Sequence, residues 1–412
     1  MRKLILLYST LICMTLGAFS QSVFTTFDRF NSPLPDNQCR YIAIDSIQRK
    51  WFCTEYGLAI YNDTVWEVYN TNTSAISDNS IKHVAFDNLG KAWISTQSGG
   101  VNVFDGNTFT SYNTGNSDIT SNYIRSITID DKNVKWIGTD NGLNRFDDTT
   151  WTVYNLFNSS LPVNNITRIL PENDSTRWIG TFNGGLVRMI DTAFTTWNTV
   201  NSGFPDNFIL DILIDNGGIK WMTCPAGGLV RFFNGSWFTY NTGSSNIPTN
   251  SLNSLIQDSA GNFYIGSFGK GLIKNVGFNY YHWDSQNSDM PDDVVYSVAR
   301  EKNGIIWLGT DASGVVRFDE ALWTGVPELM KTNSIALFPT IFQNSIKIVS
   351  ENEAITSMEI YNVAGALLRQ NPLSLSKNTL QQFDLSSLAP GIYFVSIKSD
   401  NSSLTKKIVK LN

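Results

Sequence analysis

Histidine is almost absent from this sequence: His83 and His282 are the two in 412 residues. Cysteine is nearly as rare, with four, and charged residues make up only 16%. Each scarcity removes a class of function. No HExxH, CxxC or GxSxG occurs, so zinc-protease, dithiol-redox and serine-hydrolase readings have no motif to rest on. Basic clusters are missing and the formal net charge is −6, which argues against nucleic acid and anionic lipid as partners. After residue 20 no stretch approaches the roughly eighteen apolar residues of a membrane helix, so no transmembrane segment is expected in the mature chain.

What is present begins with a leader. Arg2 and Lys3 precede a mostly apolar run from Leu4 to Leu16, and Ala18-Phe19-Ser20 puts small residues where signal peptidase reads. Residues 1–20 are read as a signal peptide cleaved before Gln21, which takes the net charge from −6 to −8. Cys39, Cys53 and Cys224 remain. An odd, sparse set is no disulfide framework, and small buried thiols are expected.

Most of the chain is one repeat. Seven units start at Trp51, Trp93, Trp136, Trp178, Trp221, Tyr264 and Trp307, spaced by 42 or 43 residues. They open WFCTEYGL, WISTQSGG, WIGTDNGL, WIGTFNGG, WMTCPAGG, YIGSFGKG and WLGTDASG. The period-2 alternation of Ile124 to Asp130 reads as a strand. Trp136 to Thr139, Leu143 to Phe146 and Trp151 to Tyr154 read as three more, with turns between them. Four antiparallel strands in 43 residues fit a propeller blade. A seven-bladed, all-β propeller over residues 21–323 is therefore expected.

The fourth strand has its own signature: two aromatics three apart, then Asn or Asp. It appears as WEVYN from Trp66, FTSYN from Phe109, WTVYN from Trp151, FTTWN from Phe194, WFTYN from Trp237, and YHWD ending at Asp284. The seventh unit lacks it, ending in Trp323-Thr324-Gly325-Val326. The missing copy, FTTFD, sits at Phe24 to Asp28. The N-terminal strand is therefore expected to complete the last blade and close the ring, hiding the sheet edges of an open array. The twelve tryptophans divide into six repeat heads and six fourth-strand residues, and fixed phase marks them as packing residues.

The WIGT, GGL and aromatic-strand pattern resembles the two-component-regulator propeller repeat over about residues 24–323. That repeat occurs in periplasmic sensor halves of hybrid histidine kinases and in free-standing secreted proteins. It describes blade packing and names no ligand. No membrane helix or kinase is seen after this propeller, so phosphotransfer is not carried over.

After residue 323 the repeat stops. Residues 324–333 read as a linker, with Gly325 and Pro327 breaking regular structure. Alternating segments follow: Ser345 to Val349, Ser357 to Val363, Gly391 to Lys398 and Ser403 to Lys410. A small immunoglobulin-like β-sandwich over 334–412 is expected. MEIYNVAGALL from Met358, FDLSSLAPGIYFVSI from Phe383 and TKKIVK from Thr405 resemble the type A C-terminal sorting domain of the type IX secretion system of Bacteroidota. The family's opening Pro-Asn-Pro-like turn is here Phe338-Pro339-Thr340-Ile341. The resemblance implies export to the periplasm, then passage across the outer membrane by the type IX machinery, with the protein attached to the surface or released.

Chemistry is sparse. Propellers resembling streptogramin lyases rely on a histidine in the central face; His83 and His282 fall at different points of the repeat and are expected to pack or face solvent. Acidic turns at Asp87, Asp215 and Asp258 are short and lie one per blade, so they read as turn openers rather than calcium loops. No metal and no cofactor is expected. The loops joining second to third strands vary where the tryptophans do not. Glu55, Tyr56, Gln97, Asp140, Phe182, Phe268, Lys270 and Asp311 are the ligand-binding candidates, a mixture suited to a sugar or peptide. The expected function is non-enzymatic binding of a glycan or protein at the cell surface or in the medium. The alternative is a lyase or hydrolase acting at the central face.

Overall fold

A computed structural model describes residues 22–411 apart from 234, 278, 324–334, 339–340, 351–353, 364, 377–378 and 400–402. The signal segment, the linker and the Pro339-Thr340 turn lie outside the described residues. Seven four-stranded sheets make up the propeller; in six of them each strand is hydrogen-bonded to its neighbour in sequence. Blade 3 shows how closely the alternation foretells them: its strands are Ile124–Ile129, Lys135–Thr139, Gly142–Phe146 and Trp151–Tyr154.

The seventh sheet holds Val295–Arg300, Ile306–Thr310 and Val315–Phe318, and its fourth strand is Phe24–Phe27 from the N-terminus. Phe24 lies opposite Phe318 and Phe27 opposite Val315. The Phe24 and Phe318 rings stack with centroids 5.0 Å apart. The ring is thus closed as the displaced FTTFD copy foretold. Trp323 departs from expectation. It follows a short 3-10 turn, Glu320–Leu322, rather than sitting in a fourth strand, and packs edge-on against Trp283 at 5.9 Å.

Blade packing explains the repeated residues. The head tryptophans are almost wholly buried, and burial of an indole requires an acceptor for its N–H. The acidic residue six positions earlier supplies it. Trp51 donates to Asp45 at 3.0 Å, Trp93 to Asp87 at 3.1 Å, Trp136 to Asp130 at 2.9 Å and Trp221 to Asp215 at 2.8 Å. Each of these carboxylates also accepts backbone N–H groups of its own turn, as Asp87 does from Leu89 and Lys91, both at 2.9 Å. The acidic turns at Asp87 and Asp215 are therefore indole acceptors as well as turn openers, whereas Asp258, in the blade headed by Tyr264, serves its own turn and the Asn262 amide.

Two glycine positions set the blade geometry. Gly185, at φ +85°, opens a third strand where a Cβ would lie 2.1 Å from the Trp197 carbonyl oxygen. Gly309, the glycine of the WLGT head, lets blade 7 approach blade 1, because a Cβ there would lie 2.6 Å from the Cys39 carbonyl oxygen. Cys39, Cys53 and Cys224 are free and buried, as small packing thiols. Burial raises the pKa of each.

The C-terminal region forms two sheets. One contains Ile335–Phe338, Ser345–Ser350 and Thr379–Asp384. The other contains Ile341–Phe342, Ser403–Lys410, Gly391–Ser399, Ile355–Asn362 and Leu367–Leu375, in that order. A common core of Leu337, Ile346, Ile348, Met358, Ile360, Val395, Ile397 and Ile408 joins them into the expected sandwich.

Candidate functional site

The first strand of every blade lines the central channel. Six begin with a buried apolar residue, Cys39, Ile81, Ile124, Ile166, Leu252 or Val295, and in blade 5 the equivalent residue, Ile209, lies just before the strand Asp211–Ile214. The next residue does not repeat: Arg40, Lys82, Arg125, Thr167, Leu210, Asn253 or Tyr296. In six blades the pairing register shifts across this residue, as between Ile124 and Ser126 or between Val295 and Ser297. Such a bulge adds one unpaired residue and re-aims its side chain. All seven line one cavity of about 350 Å³, together with Tyr41, His83, Arg168, Asp211 and Ser254.

Four of these residues form a chain across the channel. The rings of Tyr41 and His83 stack with centroids 3.7 Å apart. Arg168 Nη1 lies 2.5 Å from His83 Nε2, and Arg168 Nε lies 2.9 Å from Asp211 Oδ1. Asp211 also accepts the backbone N–H of Ile212 at 2.9 Å and of Leu255 at 3.0 Å. A guanidinium can only donate, so His83 Nε2 accepts and the ring proton sits on Nδ1. Burial, then the Arg168 charge, push the His83 pKa well below its ordinary value. Burial raises the Tyr41 pKa, with Asp211 adding to the effect and Arg168 opposing it. His83 therefore packs as expected, but it packs in the central face, where the sequence reading had found no histidine.

The loop candidates divide. Glu55 accepts from Lys82 at 2.7 Å, from Arg40 at 3.2 Å and from Ser80. Burial alone would raise its pKa; the hydrogen bonds from Lys82 and Ser80 and the Lys82 charge outweigh it and hold Glu55 below the usual carboxylate range. Gln97 Oε1 accepts from the same Ser80 hydroxyl at 3.2 Å. Asp311 accepts from Tyr296 at 2.8 Å and from Gln38 at 2.5 Å, and Arg40 lies 4.3 Å over the Tyr296 ring. Glu55 and Asp311 thus meet the mouth through the bulged residues, and Gln97 joins them only indirectly, through the Ser80 hydroxyl it shares with Glu55. Tyr56, Asp140, Phe182 and Phe268 are exposed on the loops, and Phe182 pairs with Phe208 at 4.5 Å. Lys270 leaves this group: it reaches Asp284, at the end of a fourth strand, at 3.0 Å.

Sequence reasoning missed the bulged residues. The signal was available, since aligning the seven copies on their first-strand apolar residue shows one column with no consensus. It also missed the turn that leaves each fourth strand. In blade 3, Asn155 accepts the N–H of Phe157 at 2.9 Å, and Asn158 accepts that of Asn155 at 2.8 Å. The same Asn/Asp-x-x-polar-Ser pattern recurs in every blade.

His83 Nε2 has its lone pair committed to Arg168, and Asp211 is committed to Arg168 and two backbone donors. Among the described residues no cluster of three His, Cys, Asp or Glu side chains is placed to hold a metal.

Residues 336–411 match the family model of the secretion system C-terminal sorting domain, and residues 289–312 match that of the two component regulator propeller. No curated protein matches the chain. Among solved structures, the extracellular domain of a B. thetaiotaomicron protein described as a hybrid two-component system is 19% identical, with a TM-score of 0.63. The match covers 94% of this chain and 57% of that one. PorZ, a surface component of the type IX secretion system of Porphyromonas gingivalis, is 14% identical with a TM-score of 0.59, covering 92% of this chain and 60% of that one. Virginiamycin B lyase from Staphylococcus aureus is 14% identical with a TM-score of 0.57, covering 71% of this chain and 98% of the lyase. The chain thus spans less than two thirds of the length of the first two, and these likenesses establish the fold. The chain is a propeller by fold, and residues 289–312 match the two component regulator propeller repeat. It carries a type IX secretion sorting domain, and that domain implies secretion to the cell surface.

Proposed function

We propose that this chain is a secreted or surface-attached binding protein, without catalytic activity of its own, that takes a glycan or a protein at the channel mouth. Residues 1–20 serve as the export signal, 21–323 as the binding propeller, 324–333 as a linker and 334–412 as the sorting domain. One observation carries the reading. Around the ring the packing residues repeat while the bulged column does not, and that column converges on a cavity with the Glu55 and Asp311 side chains behind it. A ligand at that point touches several blades at once. Tyr56, Phe182 and Phe268 offer exposed ring area on the surrounding loops.

A glycan and peptide array probed with the full secreted chain tests this. Wild type should bind a defined probe class, and the Tyr56→Ala, Phe182→Ala, Phe268→Ala triple variant should bind it more weakly with unchanged melting. Equal binding by the triple variant removes the loop aromatics from the site. The competing reading, a lyase or hydrolase at the central face, draws on His83 lining the cavity. Turnover of a bound probe by wild type, lost in His83→Ala, would favour it.

A further inference from the structure

The groups left without partners around the channel mouth are mainly donors. Arg125 Nε is buried and unbonded, and its guanidinium lies 4.5 Å over the Tyr123 ring. His83 is more than nine-tenths buried, and its Nδ1, which carries the proton, has no partner. The Ser254 hydroxyl is also buried and unbonded. Buried donors without acceptors are costly, so such a site is completed by a ligand rich in acceptor oxygens.

Charge points the same way. Four cations line the cavity: Arg40, Lys82, Arg125 and Arg168. Arg40 and Lys82 share Glu55, and Arg168 is paired with Asp211. Arg125 has no carboxylate within ion-pairing distance among the described residues. An unneutralised guanidinium in a concave site of a chain with net charge −6 is a local reversal of sign. A planar fork of N–H donors matches a carboxylate. Apart from Asp211, whose charge is paired with Arg168, and the neutral His83, the rest of the lining is uncharged and hydrogen-bonding, from Thr167, Asn253, Ser254 and two tyrosines, with Leu210 as its single aliphatic side chain. That lining fits sugar hydroxyls better than an apolar peptide side chain.

We infer that the channel mouth binds the carboxylate of an acidic saccharide, with Arg125 as its anchor and His83 Nδ1 and Ser254 as further donors. This rests on the binding function proposed above. The cavity of about 350 Å³ is at the small end of ligand sites, suited to one or two sugar rings.

The test is titration of the full secreted chain with digalacturonate, with its dimethyl ester and with galactobiose. The acid should bind about tenfold or more tighter than the ester, a difference of about 1.4 kcal/mol. Added salt should weaken the acid and leave the neutral probes unchanged. Arg125→Gln should bring the acid down to the ester's affinity without changing the melting curve. The wild-type acid–ester comparison stands even where that variant fails to fold. Equal affinity for acid and ester, or an unaltered Arg125→Gln, overturns the inference. Neutral glycans or peptides bound by wild type and lost in the loop triple variant would overturn it while leaving the binding function in place. No binding of any saccharide overturns it too, and the peptide half of the array then decides the broader reading.

Discussion

A buried indole stabilises a blade only when its N–H is satisfied, so each head tryptophan and the acidic residue six positions before it act as a unit. Trp136 is buried to within 2% of complete, donates to Asp130, and lies under the Arg177 guanidinium at 4.4 Å. Trp136→Ala should destabilise the propeller by about 3–5 kcal/mol in denaturant unfolding. Tyr56→Ala, at a loop tip 66% exposed, should stay within about 0.5 kcal/mol. Equal effects would mean that the two positions have been misassigned. His83 gives a second residue-scale expectation. In the fold its pKa lies well below the ordinary 6.5, so the unfolded chain takes up this proton first. Its contribution is complete above about pH 6.5 and declines as pH falls from there toward the folded value. Wild type should therefore lose stability between pH 7.5 and 5.5 relative to His83→Gln. Parallel curves for the two proteins would count against a neutral, buried His83.

At the scale of strands and loops, periodicity made the fold readable. Seven heads at fixed phase gave the blades, and a displaced copy at Phe24 gave the closure. The site was less readable because it is made of what does not repeat. Glu55 and Asp311 stood out as variable loop residues, but a sequence does not show that they hold Arg40, Lys82 and Tyr296. Those contacts depend on bulges, and a bulge changes a side chain's aim without changing the alternation around it. Nor could the pairing of Arg168 with His83 and Asp211 be read, since it joins residues from blades 2, 4 and 5 across the channel. Closure itself is open to test. Deleting residues 23–29 removes the fourth strand of blade 7 and leaves Val315–Phe318 as an unpaired edge. The truncated protein should aggregate or melt well below the parent. A melting curve matching the parent would contradict ring closure by this strand.

At the scale of the whole molecule, a closed ring and a separate sandwich divide the work. The last strand, Ser403–Lys410, lies inside its sheet between Gly391–Ser399 and the short Ile341–Phe342 strand. Lys410 Nζ donates to the carbonyls of Leu385, Ser386 and Leu388. Removing residues 405–412 should therefore open the sorting domain's core, leave the propeller folded, and strand the protein in the periplasm of a type IX-competent host. Normal surface or medium levels of the truncated form would contradict the export role. The central claim is that ligand is held at the channel mouth, and hydrogen exchange on the full secreted chain bound to its best array probe tests it most directly. The account predicts slowed exchange in the first strands at residues 39–41, 81–83, 124–126 and 166–168. Protection confined to the outer turns after the fourth strands, or to residues 335–411, would contradict it.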